Sequence, residues 1–131
     1  MAEWAKGITK VIIVDDLGDT PAKVSRRTGV MYGSRKHLSR LPVEQRLFIF
    51  LHEKAHVELQ TTSEYEADAQ AFKEYADLGY SLKASVKALT QVLNDKNLEH
   101  NYRMYLQLQR AKEYDATHNG NTKILNNEQT K

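Results

Sequence analysis

The chain has 131 residues, with 19 basic against 17 acidic side chains and a net charge of +2 that points to no charged partner. Its basic residues are dispersed, which argues against direct nucleic-acid binding, and it has no cysteine, which excludes disulfides, thiolate nucleophiles and thiolate-held metals. Any metal site must therefore use His, Glu and Asp.

The hydrophobic share of 40% beside 27% charged residues is that of an ordinary globular chain. One domain is expected over 1–117, followed by a polar tail, 118–131, rich in Asn, Thr and Lys. That tail is a candidate for ordering by a protein assembly partner. Met1 to Lys10 lacks the apolar centre of a signal peptide, and no apolar run approaches the roughly 20 residues that a membrane span needs. A soluble protein is expected, of the cytoplasm or of a virion, with no membrane partner.

Lys10 to Val14 is a β-branched run that reads as a buried strand, closed by Asp15-Asp16 and Gly18. Thr20-Pro21 is a helix-start signal and predicts a short helix from Pro21 to Arg27, stopped by Gly29. Val30-Met31-Tyr32, between two glycines, predicts a second strand. Leu41-Pro42 opens a long helix from Val43 to Leu59, apolar nearly all round through Leu47 to Leu51 and so central in the domain. Gln60 to Ser63 breaks it. Ser63 and Glu66 form a capping box for the next helix, which starts at Glu64 and ends near Asp77, before Gly79. Ser81 caps a third helix with Leu82, Val86, Leu89 and Leu93 on one stripe. Asn94 to Asn97 is a turn, and Leu98 to Asp115 a last helix with Leu98, Tyr102, Tyr105 and Leu108 at helical spacing. The sum is an α+β fold dominated by helices: a small two- or three-stranded sheet, a central helix pair and two further C-terminal helices.

The long helix carries His52-Glu53-x-x-His56. Histidines four apart project from one helix face, so both rings can share one metal. Glu53 lies about 100° round the helix, where it can take a proton from a water activated by that metal. Catalytic zinc uses three protein ligands and one open position. The next helix starts a few residues later and must return beside the first, which brings Glu64 within reach as third ligand. Asp68, one turn on, can accept the second ring N–H of a ligating histidine and fix its tautomer. Glu66 lies on another face and is the capping residue.

These residues, His52-Glu53-x-x-His56 with Glu64-Tyr65-Glu66-Ala67-Asp68-Ala69-Gln70-Ala71-Phe72, resemble the gluzincin metallopeptidases. The fuller pattern is most similar to HtpX-like and CAAX-prenyl-protease-like enzymes and to small ImmA/IrrE-like proteins of phages and mobile elements. The resemblance implies a zincin-like fold with Zn2+ held by His52, His56 and Glu64, Glu53 as catalytic base and a peptide or protein substrate. It further implies that Val30-Met31-Tyr32 is an edge strand receiving the substrate backbone. A later His-Pro…Arg-Ile segment of the membrane-bound relatives corresponds most nearly to Asn97 to Met104, without its proline, which makes His100 and Arg103 candidates for stabilising the transition-state oxyanion. Three functions compete on this basis. The first is a small zinc metallopeptidase; the second is a phage structural or interaction protein that retains the fold without catalysis; the third is an ImmA-like regulator acting on a repressor.

Overall fold

The computed structural model describes residues 3–92 and 98–119. Within them the chain runs β1 (Lys10–Val14), β2 (Ala22–Val24), β3 (Val30–Ser34), α1 (Arg35–Leu38), α2 (Val43–Glu58), α3 (Glu64–Asp77), α4 (Leu82–Val92) and α5 (Leu98–Asn119). This is the expected helix-dominated α+β fold with a small sheet. The turn at Asn94–Asn97 and most of the polar tail lie outside the described residues; His118 and Asn119 of that tail belong to α5.

The three strands lie in the order β1-β3-β2. Strand β1 pairs parallel with β3, from Lys10 against Val30 to Val14 against Ser34, and β2 pairs antiparallel with the other side of β3. Two sequence expectations are corrected by this arrangement. Pro21 to Arg27 is not a helix: the Pro21 carbonyl accepts from the Ser34 N–H, and the Ser25 N–H donates to Val30. A seven-residue helix is marginal on its own, whereas a proline is tolerated at the head of an edge strand, where its carbonyl still takes the Ser34 N–H, so pairing with β3 prevails. Val30, Met31 and Tyr32 are not an edge strand either. Both of their backbone sides are taken, by β1 and by β2, and Met31 is buried. The free edge on this side of the sheet belongs to β2.

Gly29 makes the β2–β3 connection possible. It has φ of +76°, and a Cβ there would collide with the Gly7 carbonyl oxygen. Helix α1, a single turn capped by the Ser34 hydroxyl, carries no apolar period and has no sequence signal beyond that serine. Helix α2 enters at Pro42 and ends where Gln60 turns left-handed at φ of +49°. The Gln60 amide then donates to the Ala5 and Arg26 carbonyls, tying the N-terminal segment to the end of α2.

The main core forms where α2 crosses the other long helices. Phe48 and Leu51 pack with Ala71, Phe72 and Tyr75 of α3, Leu89 of α4 and Ala111 of α5. Phe48 meets Tyr75 edge to face at 5.5 Å, and the Tyr75 hydroxyl donates to the Glu44 carbonyl. A second cluster of Ala22, Met31 and Ile49 fixes the sheet against the other side of α2. The stripe of α5 that faces inward departs from its apolar pattern: Tyr102 and Tyr105 are 54% and 57% exposed, while Arg103, Gln107, Ala111 and Asp115 are buried at i, i+4 spacing. No helix among the described residues is long and apolar enough to cross a membrane.

Candidate metal centre

The last two turns of α2 and the first turn of α3 build the centre. The connection between them, residues 59–63, is short enough that α3 must double back beside α2. Ser63 caps α3 through its hydroxyl and the Glu66 N–H, while the Glu66 carboxylate accepts from the Thr61 hydroxyl, so the box closes on Thr61 instead of on the Ser63 N–H. This fixes Glu64 opposite the two histidines.

The ring tautomers follow from their partners. His56 Nδ1 lies 2.8 Å from the Thr61 carbonyl, which can only accept, so that nitrogen carries its hydrogen. His52 Nδ1 lies 2.9 Å from Asp68 Oδ1 in an ion-pair contact without hydrogen-bond alignment, and an ionised carboxylate only accepts, which favours a hydrogen on that nitrogen. In the neutral rings both Nε2 atoms are therefore lone-pair donors to a metal, and they lie 3.2 Å apart. Glu64 Oε1 completes a triangle, 2.6 Å from His56 Nε2 and 3.5 Å from His52 Nε2. Three lone-pair atoms so close repel unless a proton or a cation sits among them. A tetrahedral ion with bonds of about 2.0–2.1 Å places its ligands about 3.3 Å apart, which two sides of the triangle match, while the Glu64–His56 side must open from 2.6 Å. His52, His56 and Glu64 could thus hold one metal ion, with an all-N/O donor set.

The surrounding charges maintain this geometry. Arg103, from α5 and only 4% exposed, directs each of its three nitrogens at a carboxylate. Nε and Nη2 bind Asp68 at 2.7 and 2.9 Å, and Nη1 binds Glu64 at 3.1 Å. Asp68 is fully buried, and burial would raise its pKa, but Arg103 and His52 hold it below the usual carboxylate range. Glu64 behaves alike: burial pushes it up, while His52, His56 and Arg103 bring it well below normal. For His52 burial would lower the pKa, but contact with Asp68 and Glu64 and the Glu53 charge prevail and raise it to about 9. His56 is raised too, the Glu64 contact and the Thr61 carbonyl outweighing burial. Glu53 lies 3.9 Å from His52 Nε2, and burial keeps its carboxyl above the ordinary value despite both histidines. A carboxyl so placed can both take and return a proton.

Two clefts meet at the centre. One, of about 380 Å³, runs past Pro21, Phe48, Ile49 and Leu89, with His100 and Arg103 on its wall. The other, of about 330 Å³, runs past Val24, Arg26 and Thr62. Thr20, Ala22, Glu53 and Glu64 border both, so the free edge of β2 lies along a continuous groove. Residues 21 and 25 bond inward to β3, so the alternation of an antiparallel ladder turns the polar backbone groups of Ala22 and Val24 outward to the groove. The Thr20 hydroxyl donates to the Ala22 carbonyl there.

The structure thus brings together His52, Glu53, His56, Glu64 and Asp68. Arg103 joins them from the far end of the chain as a support for the two acids, a role the sequence does not signal, and His100 stands on the cleft wall. Val30, Met31 and Tyr32 are outside the groove, and β2 takes their place. The Thr61 carbonyl was likewise beyond the sequence, since any backbone carbonyl would read the same. Comparison with protein-family models, with curated proteins and with solved structures finds no match for this chain.

Proposed function

We propose that the chain is a small zinc-dependent metallopeptidase of the gluzincin type. The observation that carries this reading is the convergence of three lone-pair atoms, with tautomers set by Thr61 and Asp68, beside a buried carboxyl of raised pKa. Zinc is the ion that suits two imidazoles and one carboxylate in a chain without thiolates, and when bound it would polarise a peptide carbonyl and acidify water. Glu53 takes the proton from the attacking water and returns it to the leaving amine. Asp68 and the Thr61 carbonyl keep the ligand nitrogens turned inward, and Arg103 keeps both acids ionised and in place. A peptide in extended form would add to the outward groups of Ala22 and Val24, which holds its backbone across the site.

One observation favours a second reading, an interaction module that keeps the centre without turnover. All three Arg103 nitrogens bond to carboxylates, which takes the guanidinium away from the oxyanion role. Zinc content and peptide cleavage decide the matter together. Wild-type protein should bind one zinc and cleave peptides; Glu53→Gln should keep the zinc and lose about 10²–10⁴-fold in rate; Glu64→Ala should lose the zinc. Cleavage by Glu53→Gln at the wild-type rate would disprove the mechanism, and stoichiometric zinc with no cleavage would favour the second reading.

A further inference from the structure

Beyond their junction the two clefts differ in chemistry. One is apolar, over Phe48, Ile49 and Leu89, with Asp19 at its rim. The other passes Lys23 and Arg26. Among the described residues no carboxylate pairs with either cation: Lys23 Nζ lies 5.9 Å over the Tyr32 ring, and Arg26 stacks 5.1 Å over Trp4 with Nη1 near the Gln60 carbonyl. Two uncompensated cations thus stand at one end of the groove and an acid at the other.

We propose that the groove selects polypeptides by charge, favouring acidic side chains on the N-terminal side of the bond that is cut, an inference that rests on the peptidase reading. A chain added antiparallel to β2 runs from Arg26 and Val24 towards Ala22 and Thr20. Its N-terminal part therefore lies beside Lys23 and Arg26, its reacting bond at Glu53 and Glu64, and its C-terminal part in the apolar cleft. The residue opposite Lys23 shares that lysine's face of the extended sheet, with Cβ atoms about 5 Å apart. Aspartate or glutamate there meets an opposite charge. Lysine there meets a like one, and Arg26 repeats the discrimination one step beyond the strand.

The test uses two fluorescein-labelled peptides, identical except for Glu or Lys at the two positions preceding a central Ala-Leu bond. Their binding to full-length, zinc-loaded Glu53→Gln protein is followed by anisotropy. The Glu peptide should bind about tenfold more tightly, the sum of two exposed charge contrasts. The preference should fade in 1 M salt, where screening is nearly complete, and be lost in Lys23→Glu combined with Glu53→Gln, where the inverted contrast at position 23 offsets that of Arg26. Lys23 is exposed, so this change should leave folding intact. Equal affinities, or a preference that survives Lys23→Glu unchanged, overturn the proposal. The two readings separate cleanly. If wild type cleaves neither peptide while the preference and its loss in Lys23→Glu hold, the peptidase reading falls and charge selection stands; if it cleaves both and the Glu53→Gln protein binds them equally, charge selection falls alone.

Discussion

Arg103→Met removes the guanidinium while keeping most of the aliphatic volume, and its cost follows from what is left behind. Two charge-assisted bonds to Asp68 and one to Glu64 disappear. Glu64 is 39% exposed and can take water in exchange. Asp68 is wholly enclosed and cannot. The loss is that of breaking a buried ion pair from one side, about 3–5 kcal/mol, and should lie near the lower end because His52 remains 2.9 Å from Asp68. Against a total stability of about 5–15 kcal/mol the variant should still fold. Urea denaturation of the metal-free protein at neutral pH measures the effect for Arg103→Met, Asp68→Asn and the double variant. Each single variant strands a buried charge and the double strands none, so the singles should exceed the double by about 2 kcal/mol in coupling. The dependence on acid adds a second check. Asp68 has a depressed pKa in the folded chain, so its contribution is present above the unfolded value of about 4 and is lost as pH falls below it. The penalty of Arg103→Met should shrink over that range. A loss under about 1 kcal/mol, or singles that simply add, would refute the account of Arg103 as the support of both acids.

Three further outcomes are expected. His52 titrates at about 9 in the metal-free chain against 6.5 unfolded, so its contribution is full below about pH 6.5 and disappears as pH rises through 9; His56 and Glu53 are raised and act in the same sense. The urea midpoint of metal-free protein should fall over that window while zinc affinity rises, because the ion needs the neutral rings, and parallel trends would contradict the shared site. Gly29→Ala should destabilise by about 1–2 kcal/mol from its left-handed backbone, and by more from collision with Gly7, as read from the thermal midpoint. Phe48→Ala opens a void at the crossing of α2 and α3 and should cost about 3–5 kcal/mol in denaturant melts.

The long helices were legible because each carries its own punctuation. Ser63 and Gly79 bracket α3, Ser81 starts α4, and the structure puts the helix ends within two residues of those marks. The shared face of His52 and His56 was legible for the same reason, since four residues on a helix dictate one face. Strand β2 was not. Thr20-Pro21 is locally a helix start, and only pairing with a strand seven or more residues on makes it an edge. Strand position failed on similar grounds: Val30 to Tyr32 look alike whether central or at an edge, because order in a sheet is decided by partners. Helix α5 misled through its tyrosines. An apolar period normally marks the buried face, but here Arg103 must reach Asp68, and that requirement turns Tyr102 and Tyr105 outward.

The division of labour along the chain has a consequence for how the centre forms. Both histidines, Glu53, Glu64, Asp68 and the Thr61 carbonyl all come from one helical hairpin, residues 43–77, and would approach one another as soon as α2 and α3 pair. That hairpin alone gathers three carboxylates, all partly or wholly withdrawn from water, around rings that are neutral when ready for metal. In the metal-free chain the cationic forms of His52 and His56 offset part of that charge, and once the rings are neutral nothing within the hairpin does. Its compensating charge is separated by 35 residues from Asp68 and 39 from Glu64, on a helix that docks against α3 and α4. Until α5 is in place, neutral rings leave the acids protonated, solvated or splayed, and none of those states presents the tight triangle of ligands. The centre is therefore a property of the whole domain and not of its motif. A fragment ending before α5 should bind zinc weakly even though it contains every proposed ligand.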